Sequence, residues 1–401
     1  MHTKKSKLNK IIQCILLGAF VGVLGGIVGT IFHKSVDYVT TIRQGNNEVI
    51  LFLPLGGLVI ALMYNAFRSK GKIDTKRVFQ AVKEDGDVPL IMLPLIFIGT
   101  TITHLFGGSA GREGAALQLG GSMGYSIAKA LRRDNQSTKT LVTAGMSSVF
   151  SALFGTPLTA TVFSLEVTDS FNAYGIASGF VSSVTAFVTS QLFGVEPVRF
   201  VLEDVFEYQA SALLKVVALA FLCAFVCILF SLAISKTEYF MEKYIRNQYA
   251  RAIIGGGLVV FLTYALKTTD YNGAGMDVIE RAISGNAISG AFLLKIVFTA
   301  LTIAAGFKGG EIVPTFFIGA TFGCFAGPLI GLNGAAGAAL GFIALFAGMT
   351  KCPVASLLLA IEVFGAKGIP AFLIAVVISY VFSGRFGLYG NAKLWVRKNK
   401  A

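Results

Sequence analysis

Charge is what this chain is short of. Only 14% of its 401 residues are Asp, Glu, Lys or Arg, against roughly 25% in soluble proteins. With 54% of the residues hydrophobic, a soluble core has too little polar surface to cover it. Histidine is scarce as well, at three residues, and tryptophan occurs once. Cysteine is limited to Cys14, Cys223, Cys227, Cys324 and Cys352, all in or beside apolar runs, and none has metal-site spacing with a histidine. No metal site and no cofactor motif is expected. What is abundant is glycine, 46 residues, and phenylalanine, 34. The composition predicts an all-α, polytopic membrane protein.

The formal net charge of +13 could signal nucleic acid, but its placement argues otherwise. Lys4, Lys5, Lys7 and Lys10 precede the first apolar run. Arg68, Lys70, Lys72, Lys76, Arg77 and Lys83 crowd one connector, and Lys129, Arg132, Arg133 and Lys139 another. Lys393, Arg397, Lys398 and Lys400 close the chain. Lysine and arginine in short connectors beside membrane spans mark the cytoplasmic side. Both termini are therefore expected in the cytoplasm, in a multi-pass protein of the plasma membrane. With no compact basic domain, no nucleic-acid partner is expected. The run 11–33 stays apolar without a small-residue cleavage site, so it reads as a first transmembrane helix and not as a cleaved leader. Its glycines at 18, 22, 25, 26 and 29 offer small faces for helix packing.

A helix needs about 20 residues to cross the hydrocarbon core. Segments near that length are 11–33, 49–67, 88–106, 174–194, 210–235, 251–266, 289–306 and 369–383. Between them lie apolar pieces interrupted by Gly or Pro, at 114–129, 140–154, 157–167, 311–330, 334–348 and 353–364. Broken helices persist at membrane depth only where the bared backbone is buried in protein or lines a cavity. The regions 107–167 and 309–364 are thus where a transport site is expected. They also resemble each other. Pro157 and Glu166 recur as Pro353 and Glu362, each pair 196 residues apart, and Gly111-Arg-Glu113 finds a counterpart in Gly309-Gly-Glu311. Matched landmarks at a nearly constant offset predict an internal duplication, which in membranes commonly means inverted repeats with the substrate site at their junction. The expected organisation is a cytoplasmic N-terminus at 1–10, repeats at 11–200 and 201–393, and a cytoplasmic tail at 394–401.

Three constellations carry the chemistry. The first is Phe106-Gly-Gly-Ser-Ala-Gly111-Arg112-Glu113-Gly114-Ala-Ala-Leu-Gln118. Its small residues permit close backbone approach, and a helix beginning near Gly114 would present free N–H groups and a positive dipole end to an anion. Glu113 is an intramembrane acid, able to occupy an anion's place when charged and to leave it when protonated. The bland alternative is a structural pair with Arg112 or a helix cap. Within the same stretch, Gly107-Gly-Ser109-Ala-Gly111 fits a nucleophile elbow, but that motif needs a later histidine, and the last one here is His104. An enzyme is therefore not expected. The second constellation, Gly306-Phe-Lys-Gly309-Gly310-Glu311-Ile312-Val313-Pro314, repeats the acid ahead of a proline suited to a first helical turn. Glu311 reads equally as a helix-end stabiliser. The third is Arg385-Phe-Gly387-Leu388-Tyr389-Gly390, whose phenol could donate to an anion or simply anchor the chain at the interface.

Over residues 15–393 the chain resembles the CLC family of chloride channels and anion/proton antiporters. Gly111-Arg112-Glu113-Gly114 followed by Gln118 is similar to the family's GREGP…Q motif, with Ala115 in place of proline. Gly310-Glu311-Ile312-Val313-Pro314 is similar to its G-x-F-x-P motif, with Ile312 at the phenylalanine, and Tyr389 falls at the central tyrosine. The resemblance implies a fold of tilted, broken helices in an inverted repeat, assembled as a homodimer with one pathway per subunit. It makes Glu113 the gating and proton-carrying glutamate. It also implies an anion path formed by Gly111, Arg112, Gly114, Gly310, Glu311, Ile312, Val313 and Tyr389. The family's first anion motif, GSGIP, aligns with Gly71-Lys72-Ile73-Asp74-Thr75, which places Lys72 at the serine, where it reads equally as a fixed positive charge at the inner mouth of the path or as one more cytoplasmic loop lysine. Val167 stands where chloride/proton exchangers carry an internal glutamate, beside the retained Glu166. Together with the Gly-Gly-Glu311 signature, these features resemble the fluoride/proton antiporter branch. The expected activity is exchange of a monovalent halide for protons, fluoride ahead of chloride, with a passive anion channel as the alternative.

Overall fold

The structure, a computed structural model, describes residues 2–67, 78, 82, 86–202 and 209–388, with side chains from residue 11 onward. Among the described residues it is all-helical. The elements are α1 (His2–Gly45), α2 (Leu53–Ala66), α3 (Met92–Leu105), α4 (Glu113–Ala130), α5 (Asn135–Phe154), α6 (Pro157–Thr168), α7 (Ala173–Leu192), α8 (Ala210–Tyr244), α9 (Gln248–Leu266), α10 (Met276–Ile283), α11 (Ala291–Ala304), α12 (Ile312–Leu329), α13 (Gly334–Thr350), α14 (Pro353–Phe364) and α15 (Ile369–Phe382). Short 3-10 helices occupy Asn47–Phe52 and Ala366–Gly368.

Local chemistry explains six of the helix starts. Asp134, Asn172, Asn247 and Asn333 each accept a backbone N–H of the first turn, at 3.0, 2.8, 2.8 and 2.8 Å, as N-capping side chains do. Pro157 and Pro353 open α6 and α14 at the first helical position, where the missing N–H costs nothing.

Helix lengths depart from the hydropathy reading in both directions. The apolar runs 88–106, 289–306 and 369–383 were expected to be near spanning length, yet α3, α11 and α15 have 14 residues each. At 1.5 Å per residue that is roughly 21 Å, short of the roughly 30 Å core. Each stops two residues before a left-handed glycine, Gly107 (φ 82°), Gly306 (φ 93°) or Gly384 (φ 55°), a conformation open to Gly that closes a helix, and α3 is shortened mainly at its start, at residue 92 against an expected 88. Conversely, α1 runs to Gly45 and α8 to Tyr244, past charged residues. In α1 a His33–Asp37 contact of 2.9 Å across one turn supports the extension. The run 311–330, expected to be broken, yields an 18-residue helix of spanning length, α12, but 83% of its apolar window is buried within the protein. The eight-residue α10 was not anticipated. Its buried Val278, Ile279, Ala282 and Ile283 do follow helical spacing, within a polar connector.

The chain groups into two compact units, 1–38 with 64–98 and 113–198, and 39–63 with 99–112 and 199–401. In the first, the α1 glycines make close contacts. A Cβ on Gly18, Gly22 or Gly26 would lie 2.6–2.8 Å from Ser178, Ser182 or Thr189 of α7, and one on Gly29 would lie 2.6 Å from Ala152 of α5. Such small-residue faces let helices approach where lipid provides no hydrophobic drive. Helices α4 and α5 touch backbone to backbone, with Gly120 against Gly145 and Gly124 against Leu141. In the second unit, α12 and α13 pack the same way, with Gly319 against Gly341 and Gly323 against Gly337. Beside them Phe316 stacks on Phe342 at 4.0 Å between centroids, within a cluster that includes Phe200, Phe346, Phe364 and Phe372.

The 196-residue offset reappears in backbone detail. Gly155 and Lys351 both cap the preceding helix in the left-handed region, at φ 74° and 61°. The next residues, Thr156 and Cys352, have φ/ψ of −124°/78° and −120°/77°, and the 12-residue α6 and α14 follow. Such agreement at a strained corner is what a duplicated turn produces.

Candidate functional site

Two glycine-rich turns of the second unit form the framework of the site. In the antiparallel pairing of Gly111 and Gly310, each N–H donates to the other's carbonyl at 2.7 Å. A side chain has no room here. Gly309 has φ 152°, and a Cβ on it would sit 2.5 Å from Cβ of Ala110. Threonines from α3 and α11 hold both turns. The Lys308 N–H donates to Thr103 Oγ1 at 3.1 Å, the Ser109 N–H donates to Thr302 Oγ1 at 3.0 Å, and Ser109 Oγ pairs with Thr299 Oγ1 at 3.0 Å. Asn272 Nδ2 donates to the Gly107 carbonyl at 2.8 Å.

Two cations are built into the same unit. Arg43 Nη1 donates to the His104 carbonyl at 2.6 Å. Lys295, fully buried on α11, donates to the carbonyls of Tyr271 and Gly273 at 3.2 and 2.8 Å, with its ammonium 4.8 Å from the Phe317 ring centroid. A buried ammonium needs such partners. Sequence reading passed over both residues. Lys295, an ionisable group in a 14-residue apolar helix, was a signal in plain view, whereas the partners of Arg43 lie 61 and more positions away and leave no local mark.

The acids stand at the helix starts that follow the paired glycines. Glu113 is the first residue of α4 and only 3% exposed, and every residue from Gly114 to Gly124 behind it is buried. The expected start near Gly114 is thus displaced by one residue. Arg112, preceding it, is half-buried. Glu311 is the N-cap of α12, half-buried, and its carbonyl accepts the N–H and Oγ1 of Thr315 at 3.0 and 2.8 Å. Ile312 and Val313 are fully buried in the first turn. Each of these helix starts presents the equivalent of about half a positive charge, in surroundings of apolar and small residues. Taken singly, a helix N-terminus of this kind is suited to an anion, because its unpaired backbone N–H groups point outward.

Of the expected site residues, Gly111 and Gly310 are brought into direct contact, and Arg112, Glu113, Gly114, Glu311, Ile312 and Val313 flank them in sequence on their respective helix starts. Lys72, with Gly71, and Tyr389 lie outside the described residues. The chain leading to Tyr389 is anchored by the Leu388 N–H donating to the Met349 carbonyl at 2.8 Å. Val167 is buried in the last turn of α6, beside the half-buried Glu166. Ser109, the elbow-like serine, sits in a turn between helices with its hydroxyl committed to Thr299.

Comparison with known proteins gives concordant matches. A family model described as Voltage gated chloride channel matches residues 56–384. A chloride/fluoride channel protein of Pseudomonas syringae pv. tomato is 31% identical over 388 residues, covering 94% of this chain and 86% of its own. The H(+)/Cl(-) exchange transporter ClcA of Vibrio cholerae is 25% identical over 381 residues, covering 87% and 81%. Among solved structures, that of a CLC-type fluoride/proton antiporter superposes with a TM-score of 0.89 at 32% identity, over 94% of this chain and 97% of its own.

Proposed function

The chain belongs to the voltage-gated chloride channel (CLC) family of membrane channels and transporters, and from that premise we propose that it exchanges a monovalent halide, fluoride ahead of chloride, for protons. The observation that carries this reading is Glu113. A carboxylate 3% exposed at the start of an otherwise buried, small-residue helix is costly to keep. It becomes useful when it alternates with an anion at the helix N-terminus and binds a proton in the interval. Gly111, Arg112, Gly114, Gly310, Glu311, Ile312, Val313 and Tyr389 form the anion path in this reading, and Lys72 adds charge to it. The halves 11–200 and 201–393 are the two repeats, and the lysine-rich termini, 1–10 and 394–401, face the cytoplasm. Fluoride is favoured by Glu311 in the Gly-Gly-Glu signature and by similarity to proteins described as a chloride/fluoride channel and a fluoride/proton antiporter. Val167, apolar where a proton-relaying acid is expected, favours a second reading as a passive anion channel.

The test uses proteoliposomes loaded with fluoride or chloride, with efflux followed by electrode and internal pH by dye. Efflux that drives protons uphill with fluoride, and feebly with chloride, supports the proposal. Proton pumping driven equally by chloride makes the protein a chloride exchanger. Anion flow that moves no protons refutes coupling and leaves a channel.

A further inference from the structure

The first unit holds a cavity of about 350 Å³ that the transport reading does not use. It opens among the early turns of α1, the connector between α4 and α5, and the early turns of α7. Its polar wall contains Gln13, Arg132, Arg133, Gln136, Ser137 and Thr140, and its apolar wall Leu17, Leu131 and Leu141. Ser178, fully buried, borders the cavity, and its hydroxyl, which has no hydrogen-bond partner, packs against α1 beside Gly18. Arg133 Nε is likewise buried and unpartnered, while its two terminal nitrogens meet the Gln13 amide oxygen at 3.0 and 3.2 Å in the amide orientation that satisfies both. Arg133 is thereby held in place with one donor left over. One acid faces the cavity, Asp134, and its carboxylate is engaged in capping α5 through the Ser137 N–H.

Two guanidinium side chains, polar neighbours and an adjoining apolar wall describe a receptor for one kind of group. We infer that this cavity binds a phosphate ester, and that its occupant is the headgroup of an anionic membrane lipid. Guanidinium suits phosphate in geometry and charge. The leucines accommodate glycerol and the upper acyl chain. Basic pockets between membrane helices on the cytoplasmic side commonly serve this purpose. The four lysines of the preceding α1 turns, Lys4, Lys5, Lys7 and Lys10, place further positive charge on the same segment of chain.

Cys14 makes the proposal measurable. It lines the cavity and is partly exposed, whereas Cys223, Cys227, Cys324 and Cys352 are buried. The rate of Cys14 modification by a small maleimide is measured on the full-length protein in phosphatidylcholine alone, with added phosphatidylglycerol, and with inorganic phosphate, with Cys14→Ser as the blank. Phosphatidylglycerol is expected to slow modification at least about fivefold, as when roughly four-fifths of sites are filled. The Arg132→Gln/Arg133→Gln double variant is expected to restore the phosphatidylcholine rate. Protection by inorganic phosphate alone keeps the phosphate site but rejects the lipid as its source. No protection by either, or equal protection in the double variant, overturns the proposal. Should the double variant fail to fold, Gln136→Glu, which adds a negative charge to the wall, is expected to lose protection instead. Should Cys14 not react at all, native mass spectrometry of bound phosphatidylglycerol, lost in these variants, decides by the same criteria.

Discussion

Gly145 on α5 offers the sharpest test of how helix packing supports the site. A Cβ there would lie 2.1 Å from the Gly120 carbonyl oxygen and within 3.1 Å of two further backbone atoms of α4. Nothing in that set can rotate away. Ordinary contact begins near 3.4 Å, so Gly145→Ala forces α4 and α5 apart by roughly 1 Å, or bends one of them. Overpacking of this kind costs roughly 1–3 kcal/mol and occasionally more. The functional loss is expected to exceed the stability loss, because α4 begins at Glu113, seven residues before Gly120. Shifting a functional group by 1 Å can cost on the order of 100-fold in rate. The control is Gly257→Ala in α9, where a Cβ meets nothing within 4 Å and alanine is the better helix former. Both variants are assayed by halide efflux from proteoliposomes and by heating followed by size-exclusion chromatography. Gly257→Ala should match the wild type, and Gly145→Ala should lose both heat resistance and most of its flux. If Gly145→Ala transports and melts as Gly257→Ala does, the backbone contact between α4 and α5 is not what holds Glu113, and the reasoning fails.

Further predictions follow from the same structure. Glu113→Gln keeps the volume but removes the titration, so anion-driven proton movement, read by internal pH, should fall to background; surviving coupling would remove Glu113 as the proton carrier. Lys295→Met keeps the stem but strips the partner from the Tyr271 and Gly273 carbonyls. A lower melting temperature, equivalent to about 1–3 kcal/mol for each carbonyl left unsatisfied, is expected, and an unchanged melt would show that the carbonyls find other donors. Ser109→Ala removes one buried hydroxyl contact with Thr299, costs about 1 kcal/mol, and should leave efflux intact, whereas abolished transport at normal stability would give this serine a direct role.

Helix starts were legible where proline marks them, at Pro157 and Pro353, and the duplicated landmarks pointed to the corners that share backbone angles at Gly155 and Lys351. Other starts were missed by several residues, with α3, α5 and α9 beginning at 92, 135 and 248 against expected starts at 88, 140 and 251. Most helix ends were legible too, within two residues of the ends of the apolar runs, and the exceptions are α1 and α8, which reach Gly45 and Tyr244 against expected ends at 33 and 235. Hydropathy reports what a residue prefers to touch, and helix length depends also on where backbone hydrogen bonding stops. For the same reason α1 and α8 outrun their apolar segments, since an α-helix satisfies its own backbone in water as well as in lipid.

Taken alone, the sequence determined the membrane class, the all-helical architecture, the duplication and the acids worth suspecting. Each depends on composition, spacing or a cap that acts within a few residues. Only the tertiary structure decided that Gly111 pairs with Gly310, that Arg43 reaches the His104 carbonyl, and that Lys295 closes on the Tyr271–Gly273 turn. It also decided that Arg132 and Arg133 line one cavity with Gln13, Leu17 and Leu141. The physical reason is the same throughout. A backbone carbonyl accepts from whatever donor packing brings to it, and which surfaces meet is settled by the whole set of helix contacts together.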